Sequence, residues 1–78
     1  MPMELLHRLA LQSLPIAVTD GADVDAVRLL ALAGHVRADV PRPVRTLEGH
    51  HQPPATVSAI TALGRQMLRR FPPPPRRG

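Results

Sequence analysis

The sequence predicts a small α+β domain in which helices precede and follow an antiparallel ribbon. Three observations predict it. Helical apolar spacing runs through Val27–Ala33 and stops at Gly34. The period then drops to two, first in His35–Val40 and again after a proline-rich interval in Ala55–Ile60. Helical spacing returns from Thr61 to Phe71.

The first predicted helix covers Met3–Leu14. Pro2 suits the position before it, Glu4 complements the positive end of its dipole, and Pro15 stops it. Leu6, Leu9, Ala10 and Leu14, widened by Leu5, form its apolar stripe. Ile16–Val18 reads as a short extended link or minor strand.

Thr19 or Asp20 can cap the second helix, and Asp23 three residues on approximates a capping box. Its expected buried stripe is Ala26, Val27, Leu29, Leu30 and Ala33, and Gly34 fits a left-handed terminating residue. In the following strand Val36, Ala38 and Val40 should face one way, with His35, Arg37 and Asp39 facing the other. Pro41 and Pro43 have no amide proton and end regular pairing. Val44–Leu47 can be extended, Glu48-Gly49 marks the tip, and Pro53-Pro54 closes the loop. Ala55–Ile60 alternates again and should pair antiparallel with the earlier strand. Thr61 caps the closing helix, whose stripe is Ile60, Leu63, Gly64, Met67, Leu68 and Phe71. A glycine on that stripe implies a close backbone approach. Residues 1–71 form the expected domain, and residues 72–78 an expected disordered Pro/Arg-rich tail.

Composition bounds the function. The chain has 78 residues and no cysteine, so neither a disulfide nor a thiolate metal site is available. Its longest apolar run is broken by Arg28, Gly34 and His35, too short to span a bilayer, and the start does not resemble a secretory signal. A cytoplasmic protein without membrane contact is expected. Its formal net charge is +4 with ten basic residues, all Arg. Residues 1–35 set Arg8 and Arg28 against Glu4, Asp20, Asp23 and Asp25, a balance of −2. Residues 36–78 set eight Arg against Asp39 and Glu48, a balance of +6. The basic half suits a polyanion; the acidic half faces a different partner, or the basic half itself.

Leu30–Val36, then Ala59-Ile60-Thr61-Ala62-Leu63-Gly64-Arg65-Gln66-Met67-Leu68, resembles the back half of bacterial winged-helix regulators. Those read as a leucine-rich helix, Gly, strand, wing, strand and Ile/Leu-Thr-x-x-Gly-Arg-x-x-Leu. The resemblance covers about 45 residues. It implies a small winged-helix-like domain with two helices, an antiparallel β-hairpin wing and a C-terminal helix. Residues 22–33 would be the recognition helix, 36–60 the wing and 62–71 the helix behind it. It implies a DNA-binding, transcription-regulatory role, with Arg37, Arg42 and Arg45 on phosphates or in a minor groove and Arg65 and Arg69 on the backbone. Two features depart from the family. Only two helices precede the wing, and Asp20, Asp23 and Asp25 place negative charge where the recognition helix would enter the groove. The alternative is a protein–protein module of the same fold, homodimeric and without nucleic-acid binding.

Other chemistries are weakly signalled. Phe71 is the only aromatic residue, and stacking on single strands needs several. His35, His50 and His51 could converge on a metal, but none lies at helical ligand spacing. Ser13 and Ser58 have no sequence-level catalytic partner. No catalytic residue, metal, cofactor or small-molecule substrate is therefore expected.

Overall fold

A computed structural model describes residues 2–74. The elements run α1 (Met3–Ala10), β1 (Ile16–Val18), α2 (Gly21–Leu32), β2 (Val36–Asp39), β3 (Val44–Thr46), β4 (Gly49–His51), β5 (Ala55–Ile60) and α3 (Ala62–Arg70). β5 is the middle strand of an antiparallel sheet ordered β1-β5-β2, and β3 and β4 form a separate antiparallel ribbon. The result is a small α+β domain. Among the described residues no helix is long and apolar enough to cross a membrane.

Alternation decides the sheet's inner face. Val57 faces Ile16 on one side and Ala38 on the other, and Val18 faces Ala55. The buried side chains of Val18, Ala55 and Val57, with Ile16 and Ala38 partly buried beside them, meet Leu5, Leu6 and Leu9 of α1 and Val24, Val27 and Leu30 of α2 in one core. Ala17, Thr56 and Asp39 sit side by side on the outer, exposed face. The register slips between Arg37 and Ala38, leaving Ser58 as the extra residue of a bulge. Its hydroxyl donates to the Arg37 carbonyl at 3.1 Å.

Local chemistry fixes the helix ends. The Asp20 carboxylate accepts from the Asp23 amide at 3.2 Å. At the far end of α2, Gly34 has φ +81°, its amide donates to Ala31, and the His35 amide donates to Leu30. These two bonds are a Schellman motif, which needs the left-handed residue that Gly supplies. Thr61 caps α3 by accepting from the Gly64 amide at 3.0 Å, and its hydroxyl donates to the Gly34 carbonyl at 2.5 Å. One threonine thus joins the end of α2 to the start of α3.

Several expectations are corrected. α1 ends at Ala10 rather than Leu14; the amides of Leu11 and Gln12 turn back to Arg8 and Leu9 three residues earlier. Pro15 bars the helical region to the residue before it, and Leu11, 88% exposed, gains no burial by continuing. Ile16–Val18, read as a link or a minor strand, is the strand: it pairs antiparallel with β5. The buried face of α2 is Val24, Val27 and Leu30, whereas Leu29 and Ala33 lie outside. Contact with β2 and β5 sets that phase, and hydropathy alone could not separate adjacent leucines. On α3, Leu63 and Phe71 are exposed at the edges of the stripe. The 36–60 segment is two ribbons in series: prolines at 41, 43, 53 and 54 interrupt it between β2–β5 and β3–β4.

His35 was expected to face outwards with Arg37 and Asp39, yet it is buried. It precedes β2, so the strand's alternation does not yet govern it, and α3 closes over it. Gly64 lies directly on the His35 carbonyl, which also accepts from the Thr61 amide at 3.1 Å. The His35 Nδ1 has no hydrogen-bond partner among the described residues. Residues 72–74 are exposed and without regular structure, and the remainder of the expected tail lies outside the described residues.

Candidate nucleic-acid interface

The five arginines singled out by sequence are all exposed, but they fall into separate groups. Arg37 stands on β2 opposite Ala59, near the end of the sheet where α3 begins. Arg42 lies in the link leaving the other end, and Arg45 is on β3. Arg65 and Arg69 are four apart on α3, hence on one flank of that helix. β5 rises about 3.3 Å per residue, so its length separates the α3 group from the ribbon group.

Pairing sorts the ribbon's side chains by face. Arg45 is opposite His50; Val44 is opposite His51, and Thr46 opposite Gly49. Successive residues alternate, so Arg45 and His50 share one face while Val44, Thr46 and His51 share the other. Every residue of both strands is exposed. At the tip the Thr46 hydroxyl donates to the Gly49 carbonyl at 3.2 Å.

The ribbon's base is held by a contact the sequence reading missed. The Gln52 amide donates to the Pro41 carbonyl at 2.8 Å and to the Pro53 carbonyl at 3.1 Å, and its oxygen accepts from Arg28 of α2 at 3.3 Å. Both stems are thereby tied to the middle of α2. The available signal was a lone primary amide among prolines, since prolines leave carbonyls without neighbouring backbone donors.

Electrostatics divide the chain as its sequence does. Arg8 makes two bonds to the Asp23 carboxylate, at 2.9 and 3.3 Å, and that hydrogen bond raises the Arg8 pKa further above its ordinary value. Arg28 pairs with Asp25 at 2.8 Å. Both ion pairs lie within the acidic half. Among the described residues, Arg37, Arg42, Arg45, Arg65, Arg69 and Arg70 join no ion pair. Arg70 instead lies 5.8 Å from the centroid of the Phe71 ring.

α2 offers little to a polyanion. Its outward residues Ala22, Asp25, Leu29 and Leu32 recur at helical spacing and include no cation. Arg28 beside them is engaged by Asp25 and Gln52.

The three histidines considered as metal ligands stay apart: His35 is buried under α3, while His50 and His51 are exposed on β4. Among the described residues no group of three or more His, Asp or Glu could hold a metal ion. The fourth, His7, donates from Nε2 to the Phe71 carbonyl at 2.7 Å and fastens α1 to the end of α3. A cleft of about 210 Å³ between α1, β1 and the start of α2 is lined by Leu5, Leu9 and Ile16, with Arg8 and Asp23 already bonded to each other.

No family model matches the chain. No curated protein and no solved structure matches it either.

Proposed function

We propose that this chain is a winged-helix-like domain that contacts duplex DNA through phosphates, using Arg45 of the β3–β4 ribbon and Arg42 in the link that leads into it, with Arg37 a separate contact near the α3 end of the sheet. The supporting observation is the ribbon itself. Every residue of its strands is exposed, and among the described residues neither Arg45 on it nor Arg42 in the link before it is neutralised by a carboxylate. An unpaired guanidinium on a narrow exposed ribbon suits a groove or a phosphate pair. The order of elements and the Thr61–Gly64 join add support for the architecture. Arg65 and Arg69 form a second cationic strip that adds backbone contacts from α3.

Base reading by α2 is not part of the proposal. Its outward face is apolar and acidic, with no donor suited to a base edge. Binding should therefore be strongly salt-dependent and weakly sequence-dependent.

Fluorescence anisotropy on mixed-sequence duplex DNA tests this. Affinity should rise steeply as salt falls. Removing two phosphate contacts in Arg42→Ala/Arg45→Ala should flatten the plot of log affinity against log salt by about 1.8. No binding at low salt, or a double variant with the wild-type slope, would refute the reading.

A further inference from the structure

We propose that one copy of this chain holds two duplexes at once: Arg42 and Arg45 meet one, while Arg37, Arg65 and Arg69, at the opposite end of the sheet, meet the other. Bridging rests on the nucleic-acid reading above and adds a second partner to it.

The first observation is that the free cations form two groups. Arg42 lies in the link at the ribbon end of the sheet and Arg45 on β3. Arg37 pairs opposite Ala59 at the other end, and Arg65 and Arg69 share a flank of α3. All five are exposed, and among the described residues none joins an ion pair. β5 runs from Ala55 at the ribbon end to Ile60 at the α3 end. At about 3.3 Å per step, its length puts about 16 Å between the two ends.

The second observation is the surface between them. One side of the sheet is covered by α1 and α2, where Glu4, Asp20, Asp23 and Asp25 outnumber Arg8 and Arg28. Both of those arginines are already bonded to carboxylates. The open side carries Ala17, Thr56 and Asp39 side by side, one carboxylate and no cation. A duplex bears one charge per about 1.7 Å of axis, so a single duplex laid across both groups would bring about nine charges over either surface with no free cation to meet them. Two duplexes, each meeting one end only, avoid that repulsion.

The third observation is that both groups stand on one packed body. Gln52 bonds the base of the ribbon to Arg28 and Pro41, and Thr61 bonds the start of α3 to Gly34. Neither group hangs on a long linker.

Capture of a labelled duplex by an immobilised duplex at low salt, mediated by the full chain, is the test, with anisotropy giving single-duplex occupancy in parallel. Capture should rise and then fall as protein is added, because excess protein gives each duplex its own copies. Arg42→Ala/Arg45→Ala and Arg65→Ala/Arg69→Ala should each bind a single duplex more weakly than the wild type. Compared at equal occupancy, each should capture at least about tenfold less label, having lost two phosphate contacts from one end. All four side chains are exposed, so circular dichroism and melting should match the wild type. An equimolar mixture of the two variants should capture no more than either alone, since both groups must belong to one chain. Undiminished capture by either variant, or capture restored by the mixture, overturns the proposal. Single-duplex binding by the wild type without capture also overturns it and leaves the nucleic-acid reading standing, whereas no binding to a single duplex at low salt removes both.

Discussion

Gly64→Ala is the sharpest probe of how this small domain is joined. In an ordinary helix interior the change stabilises by about 1 kcal/mol, because alanine is the better helix former. Here a Cβ would stand 2.8 Å from the Ile60 Cγ2 and press into the His35 carbonyl oxygen. The Ile60 side chain can turn aside. The carbonyl cannot, since the Thr61 amide holds it at 3.1 Å and His35 follows directly on the Schellman turn. Overpacking of this kind costs about 1–3 kcal/mol, and losing the Thr61–His35 bond adds about 1 kcal/mol. Less the helix-propensity gain, the net destabilisation is about 1–3 kcal/mol. For a domain of this size that lowers the melting temperature by at least about 4 °C. Thermal melts followed by circular dichroism provide the measurement. Gly21→Ala is the internal control: nothing lies within 4 Å of the Cβ it adds, and the change should be neutral or stabilising. A Gly64→Ala protein that melts at or above the wild-type temperature would refute the claim that α3 rests on the His35 carbonyl.

Three further outcomes follow from the packing. Leu30→Ala should cost about 2–5 kcal/mol in urea unfolding, whereas Leu29→Ser should stay within about 0.5 kcal/mol, although the two are adjacent. Equal costs would mean that α2 is rotated from the phase described. Thr61→Ala should cost about 1–2 kcal/mol, through the lost Gly64 cap and the lost bond to the Gly34 carbonyl, and hydrogen exchange should quicken first at Gly64. Gln52→Leu should leave the melting of the body nearly unchanged while amide exchange in residues 44–51 accelerates; protection equal to the wild type would show that the amide does not hold the ribbon.

Legibility in the sequence followed how local each determinant was. Asp20, Thr61 and Gly34 act on backbone within a few residues of themselves, so their roles as caps and helix stop could be read directly. The alternation in Ala55–Ile60 likewise announced a strand with one buried face. Gly64 was legible as a close approach, though not what it approaches, because His35 lies 29 positions away. The phase of α2 was misjudged because Leu29 and Leu30 have the same hydropathy, and only the sheet beneath decides between them. Burial of His35 was hidden for a related reason: its place depends on α3 folding back over a turn, not on any period around it. The candidate arginines were visible as residues, but not as a ribbon group and an α3 group, which only the register of β2 on β5 separates. Gln52 went unnoticed since its partners, Arg28 and Pro41, are 24 and 11 residues distant.

The single amide of Gln52 fastens both stems of the ribbon to each other and to α2. The ribbon's two stems share one fastening, and that fastening also bonds Arg28 near the centre of α2. Arg28 also pairs with Asp25 one turn earlier, so one guanidinium links the ribbon's base to the acidic first half of the helix.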